Sequence, residues 1–380
     1  MPSRPPLRIL YLEPFESGSH AAFSRTLLGG IEASWTVVTL PGRHWKWRVR
    51  GFVPWLALDR PGDLAGPFDL VLAGSFVNLA ELVGLAPHLA DVPRLLYFHE
   101  NQLAFPVREE FSGERDLHFG FTQLVSALAA TRCVFNSAWN RDSFLAAARE
   151  LLARMPDAVP GGWVERIASC SEVLPLPLDL PDHPACARGD EPPGGERAEG
   201  PIILWNHRWE HDKAPAAFFA ALARLAERGV PFRVAVCGRG FRQVPPEFDE
   251  ARARFGPRVV HFGFVESAGD YFDLLGRCHL AVSTARHEFF GVAMLEAAHL
   301  GARPLVPDRL AYRETFPAEL RYAPDEELAG ELERLCRGWT SGEIGLRGDR
   351  RVLTAPYRAE TVLPRYRALF EELARPHARA

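Results

Sequence analysis

Glu288 and Glu296 stand eight positions apart in His287-Glu288-Phe289-Phe290-Gly291-Val292-Ala293-Met294-Leu295-Glu296. A strand-like run, 279–283, comes before them, and a helix-like run, 294–300, carries the second. Phe290 and Gly291 make the turn between. A glycine at a strand-to-helix turn admits an anion to the backbone N–H groups of a helix N-terminus. Ionised carboxylates only accept hydrogen bonds, so these two suit hydroxyls rather than a phosphate. A phosphate flanked by polyhydroxylated groups describes a nucleotide sugar. The competing account is an acidic pair complementing a helix dipole.

A second constellation supplies cations. The strand-like run 202–205 ends in Asn206-His207-Arg208-Trp209-Glu210-His211-Asp212-Lys213. Asp212 suits an N-cap and Pro215 an early helical position. Arg208 and Lys213 then share one loop at a strand's carboxyl end, where two fixed cations neutralise a diphosphate and stabilise it further as it leaves. His207, Glu210 and His211 also fit an H-x-x-E-H zinc-peptidase pattern. That motif needs one continuous helix, and here it lies between a strand and a helix start.

In the first half, Gly18 and Ser19 follow the first strand, where a missing side chain lets a phosphate or sugar approach. His20 beside them either polarises a substrate or caps a helix. The strand-like run 95–98 leads into His99-Glu100-Asn101-Gln102, four polar residues at a strand's carboxyl end, which marks a site rather than a core. Arg43, His44, Trp45, Lys46, Trp47 and Arg48 alternate basic and aromatic side chains. Cations of this kind contact phosphates while indoles stack on bases. An amphipathic strand or a membrane-surface contact is the alternative.

These groups need elements to hold them. Strand-like runs at 7–12, 35–40, 70–73, 95–98, 133–135 and 173–178 alternate with helical stretches such as 119–130 and 141–153, as βαβ units do. Residues 182–200 are rich in proline, glycine and charge, a linker composition. The alternation then restarts at 202–205, 232–237, 259–262, 280–283 and 303–306, and 360–374 has the period of an amphipathic helix. The expected architecture is α/β, with two doubly wound Rossmann-like domains facing across a cleft. The expected bounds are 1–180, a linker at 181–200, 201–355, and a C-terminal helix at 356–380 returning to the N-domain. Ligands of such sheets sit at the carboxyl ends of the strands.

Composition excludes several classes. The 380 residues, 47% hydrophobic and 24% charged, describe a globular chain too long for one core. No apolar run is long enough to span a bilayer. The six cysteines have no paired spacing, which argues against a disulfide framework or a cysteine zinc site and for a reducing cytoplasm. A net charge of −4 confines any RNA contact to a local patch. Of 44 basic residues only Lys46 and Lys213 are lysine. A lysine that persists in an arginine-biased chain suits a role as a compact point charge.

Together these residues resemble the retaining GT-B glycosyltransferases. The resemblance assigns Arg208 and Lys213 to the donor diphosphate, Glu288 to the sugar hydroxyls, Glu296 to the ribose, Gly18 to the glycine loop, and His99 to the histidine after an N-domain strand. It also places Gly238, and Phe264 and Val265 of Phe262-Gly263-Phe264-Val265, near the nucleotide. A closer resemblance rests on Leu12-Glu13-Pro14-Phe15, Gly18-Ser19-His20, the 39–48 segment, Tyr97-Phe98-His99-Glu100-Asn101-Gln102-Leu103 and the 205–213 segment. These are similar to the tRNA-queuosine α-mannosyltransferase family. That family implies transfer of mannose from GDP-mannose to the cyclopentene-diol of queuosine in the anticodon of tRNA(Asp), with no metal. It further implies that His99 acts at the reacting centre, that 43–48, Glu100 and Asn101 face the RNA acceptor, and that the leaving phosphate assists deprotonation of the acceptor. A lipid or polysaccharide acceptor and a zinc hydrolase are the rival readings.

Overall fold

A computed structural model of the chain describes residues 5–105, 117–190, 195–240, 245–323 and 327–375. Two units partition the chain. One holds residues up to Asp179 together with those from Tyr357 onward, and the other holds Leu180–Pro356.

The first unit is built on a parallel six-stranded sheet of β1 (Arg8–Glu16), β2 (Ser34–Pro41), β3 (Leu70–Gly74), β4 (Arg94–Phe98), β5 (Arg132–Phe135) and β6 (Ser171–Val173), in the order β2-β1-β3-β4-β5-β6. β3 is buried at every position and β4 at all but its first. Helices cover both faces of such a sheet, which is why these runs are continuously apolar rather than alternating. The order reverses where β1 meets β3, so the loops after those strands diverge there and leave room for a ligand.

The second unit repeats the plan with β7 (Ile202–Asn206), β8 (Arg233–Cys237), β9 (Val259–Gly263), β10 (Leu280–Val282), β11 (Arg303–Pro307) and β12 (Arg321–Tyr322), in the order β12-β11-β10-β7-β8-β9. Its reversal falls between β7 and β10, which pair Leu280 with Ile203 and Ala281 with Leu204. The loops carrying Lys213 and Glu288 are those that follow these two strands. Trp205, at the end of β7, donates its indole N–H to Thr284 at 3.1 Å, and the Thr284 hydroxyl donates to the Lys213 carbonyl at 2.8 Å. The Arg286 N–H reaches the Asp212 carbonyl at 2.8 Å. Both loops are thereby fixed to each other.

Three expectations are corrected. The 173–178 run pairs in the sheet only as far as Val173, and Leu178 then makes an isolated bridge to Arg358. The described parts of the expected linker, 181–190 and 195–200, belong to the second unit. Asp190 accepts from the Leu346 and Arg347 N–H groups at 2.6 and 3.0 Å and from the Trp339 indole at 2.9 Å, fastening it to the second unit. The basic-aromatic segment is the start of a helix, Trp45–Asp59, whose Val49, Phe52, Val53 and Leu56 face the core.

Candidate functional site

The second unit gathers its charge at the topological reversal. Lys213 is buried, its side chain 8% exposed, and its Nζ lies 2.7 Å from the His287 carbonyl, 3.2 Å from Asp212 and 3.3 Å from Glu288. Burial would lower the ammonium's pKa, but Glu288 and then Asp212 outweigh it, so the group is more firmly charged than an ordinary lysine. Burial would likewise raise the Glu288 carboxyl, yet the Lys213 ammonium holds it down at about 2. Its other oxygen accepts from the Phe289 and Phe290 N–H groups at 3.2 and 3.3 Å. His207 and His287 flank the pair, each pushed down to about 4 by burial and then by Lys213, so both rings are neutral near pH 7. Sequence reasoning placed cations and carboxylates in one neighbourhood but missed that Lys213 and Glu288 form a buried ion pair, and it gave Asp212 only an N-cap role.

Arg208 is the accessible cation of this loop. Its side chain is 49% exposed and lies 3.3 Å from Glu210. It also opposes the charge on Lys213, which puts the two cations within electrostatic reach. The zinc-peptidase pattern has no basis here, because His207 follows strand β7 and is buried while His211 is exposed in a short turn, His211–Lys213.

Glycines shape the floor. Gly238, just past β8, has φ +154°, and a Cβ there would run into the His207 carbonyl, so no side chain fits beside the β7 loop. Gly291 caps the helix Val292–His299 in the left-handed conformation, with the Tyr312 ring where a Cβ would go. Phe290 is buried under this turn. Glu296 lies on the same helix and accepts from the Tyr271 hydroxyl at 2.5 Å. Burial pushes its carboxyl up to about 7, and the Tyr271 bond pulls the other way. Phe264 is 49% exposed beyond β9, with the Arg239 guanidinium 4.1 Å from its ring centre and Val265 half-buried beside it.

The first unit holds a separate cluster at its own reversal. Gly18 and Ser19 are exposed where the helix Ser19–Gly30 begins. His99, after β4, is buried and stacks on His20 with ring centres 3.9 Å apart and planes at 24°. Glu13, on β1, has no exposed surface. Its Oε2 lies 3.2 Å from His20 Nδ1 and 4.0 Å from His99 Nε2, and its Oε1 accepts the Phe15 N–H at 2.9 Å. Burial, and then the charge on His20, holds the His99 ring well below the ordinary imidazole range. Two histidines and a carboxylate this close are a conceivable metal site. However, an ion bonded at about 2.0–2.1 Å must lie near the plane of each imidazole. Two stacked rings with planes at 24° cannot both meet that condition. Sequence reasoning gave no role to Glu13, although a carboxylate closing an apolar strand was a legible signal.

Around this cluster the expected acceptor residues divide. Asn101 is corrected from an acceptor contact to a structural residue. It is fully buried, donates to the Asn140 side chain at 2.9 Å and to Ser143 at 3.1 Å, and accepts the Ala104 N–H at 2.7 Å. Glu100 is half-buried and accepts from Gln102 at 2.7 Å. Trp45 packs on Phe119 and Phe76, with ring centres 4.8 and 5.9 Å away. Trp47 is 66% exposed, and Arg43, His44 and Lys46 are exposed around it, with Arg48 half-buried. No helix among the described residues is long and apolar enough to cross a membrane.

Residues 8–178 match the family described as tRNA-queuosine alpha-mannosyltransferase N-terminal, and residues 190–322 match glycosyl transferases group 1. A Drosophila melanogaster protein named tRNA-queuosine alpha-mannosyltransferase is 38% identical over 335 residues, covering 87% of either chain. Among solved structures, Anabaena HepE in complex with UDP aligns with a TM-score of 0.63 at 15% identity, over 96% of this chain and 99% of that one. Sucrose-phosphate synthase from Thermosynechococcus elongatus aligns with a TM-score of 0.67 at 14% identity, over 97% and 99%. These two likenesses are of fold, that of the GT-B glycosyltransferases.

Proposed function

The chain belongs to the tRNA-queuosine α-mannosyltransferase family, and from that membership we propose that this glycosyltransferase moves mannose from GDP-mannose to the cyclopentene-diol of queuosine in tRNA, with retention. The observation that carries the donor half is the Lys213–Glu288 ion pair at the reversal between β7 and β10. Arg208, accessible in the same loop, contacts the donor diphosphate. Lys213 acts from behind it as a fixed positive charge, worth most when the leaving diphosphate gains charge, in a dry setting that needs no reorganisation.

Glu288 accepts hydrogen bonds from the hexose hydroxyls. Its ties to Lys213 and to two backbone N–H groups hold it as an oriented acceptor and make it a poor nucleophile. Retention then proceeds without a glycosyl-enzyme intermediate, and the leaving phosphate oxygen takes the proton of the attacking hydroxyl. Glu296 accepts from the ribose, and Gly238 lets the backbone approach the nucleotide. Phe290 and Gly291 shape the turn ahead of the helix Val292–His299, and Phe264 with Val265 lies by the base. Gly18 and Ser19 belong to the sugar-phosphate side of the first unit. His99, neutral and stacked on His20, serves the transfer step. Trp47, Lys46, Arg43, His44 and Arg48 engage the RNA acceptor, with phosphates on the cations and a base on the exposed indole.

The test is mass spectrometry of nucleosides from queuosine-containing tRNA incubated with purified protein and a panel of nucleotide sugars. Addition of a hexose with GDP-mannose alone is the expected result. Addition with another donor overturns the mannose assignment. No addition with any donor, while a nucleotide sugar still raises the melting temperature, overturns the acceptor.

A further inference from the structure

The Glu296 carboxylate does not stand alone. Tyr271, on the helix Ala268–Arg277, donates its hydroxyl proton to Glu296 Oε2 at 2.5 Å, and Asn206, the last residue of β7, donates its amide to the Tyr271 oxygen at 2.7 Å. The three residues come from three different elements, and the direction of donation is the same along the chain: amide to phenol to carboxylate. An amide donating into a phenol oxygen polarises its O–H toward the next acceptor, and a hydrogen bond to an ionised carboxylate is the strong kind.

From this geometry we propose that Tyr271 is a positioning residue, and that the Asn206–Tyr271–Glu296 chain presents the Glu296 carboxylate, already oriented, to the ribose hydroxyls of a nucleoside diphosphate. The proposal rests on the reading of Glu296 given above. A glutamate left to itself must give up rotamer freedom on binding, and a side chain ordered beforehand does not. Tyr271 takes one carboxylate oxygen, Oε2, of a half-buried residue. Burial opposes the charge on Glu296, and the phenol offsets part of that opposition, keeping the group an acceptor. The chain begins on β7, the strand that leads into the diphosphate loop, so ribose and diphosphate recognition share one rigid support.

The experiment is calorimetric titration of the full-length protein with GDP and with UDP, and with the 2′,3′-dideoxy form of whichever binds tighter. In the wild type the dideoxy form should bind about tenfold more weakly, the size of a hydrogen bond to a charged partner. Tyr271→Phe should weaken the ribonucleotide by about five- to tenfold and leave the dideoxy affinity nearly unchanged, as losing one such bond implies. Tyr271→Phe on a Glu296→Gln background should add little, because the two residues act as one unit. Equal affinity of Tyr271→Phe and wild type for the ribonucleotide overturns the proposal. So does an equal loss for both ligand forms, which would mark general damage. If the wild type binds both forms alike, or binds neither diphosphate, the ribose reading of Glu296 itself falls, whatever Tyr271 does.

Discussion

Replacing Lys213 with alanine tests the core of the donor assignment and allows a worked magnitude. The ammonium lies 3.2 Å from Asp212 and 3.3 Å from Glu288, carboxylates whose side chains are 8% and 19% exposed. Glu288 sits at about 2 instead of 4.5, which at about 1.4 kcal/mol per pKa unit is about 3 kcal/mol of preference for its ionised form. Without Lys213 the largest part of that preference goes, while burial and the Phe290 N–H bond remain. Lys213→Ala should therefore cost about 3 kcal/mol of stability at pH 7, at the low end for breaking a buried pair. The pH dependence has a definite sign. In the variant, burial puts the folded pKa of Glu288 above its unfolded value, so the native state regains stability as pH falls from 7 toward 4.5. The wild type is flat in this respect over the same window, since its Glu288 stays ionised in both states, and it loses stability only below 4.5, down to about 2. Urea unfolding at pH 7 and pH 5 should show a gap between the two proteins that narrows at pH 5. The charge-matched Lys213→Met, Glu288→Gln protein should recover much of the stability. Turnover should stay low in both variants, about 10²- to 10³-fold down, as for loss of one transition-state charge contact. A Lys213→Ala protein as stable as wild type at pH 7, or one with normal turnover, would refute the reasoning.

Three further outcomes are expected. Affinity for the nucleoside diphosphate should fall as pH drops from 7.5 to 6, because Glu296 titrates at about 7 and binds hydroxyls best when ionised; titration calorimetry across pH checks this, and Glu296→Gln should flatten the profile. Trp47→Ala with Lys46→Ala should weaken tRNA binding by about 10-fold, since one base stack is worth about 1–3 kcal/mol, with unchanged melting temperature and diphosphate affinity; filter binding against an unchanged thermal melt decides it. Gly238→Ala should destabilise the second unit by about 1–3 kcal/mol, as strained backbone positions do, and abolish donor binding, because its Cβ meets the His207 carbonyl; a normal melt with normal binding contradicts this.

Much of the architecture was legible because parallel strands buried on both faces write themselves as short apolar runs. Nine observed strands fall within one residue of their expected bounds, and β1 runs four residues past its expected end. β12 escaped because two residues, Arg321–Tyr322, carry no pattern, and β6 was displaced because 174–178 is extended and apolar without being in the sheet. The start of the helix Trp45–Asp59 was read as a basic-aromatic patch, with an amphipathic strand or a membrane-surface contact as the alternative, since its basic first turn and internal Pro54 disguise the helical period. At the site, the loops were legible from glycine, charge and position at strand ends. What was not legible were contacts across elements. Nothing in the sequence pairs Lys213 with Glu288, joins Tyr271 to Glu296, or turns the Asn101 amide inward onto Asn140, since each depends on side chains far apart in the chain.

The scarcity of lysine has an experimental consequence. Lys46 is exposed on the helix Trp45–Asp59, and Lys213 is enclosed by Asp212, Glu288 and the His287 carbonyl. Amine-directed reagents therefore find a single ready side-chain handle, on the face assigned to RNA, where a dye or cross-linker can be installed without mutagenesis. Modification at position 213 requires the ion-paired core to come apart, so its rate is a clock for opening of the donor loop. The arginine bias of the chain has, in effect, left it with one reporter on the surface and one inside.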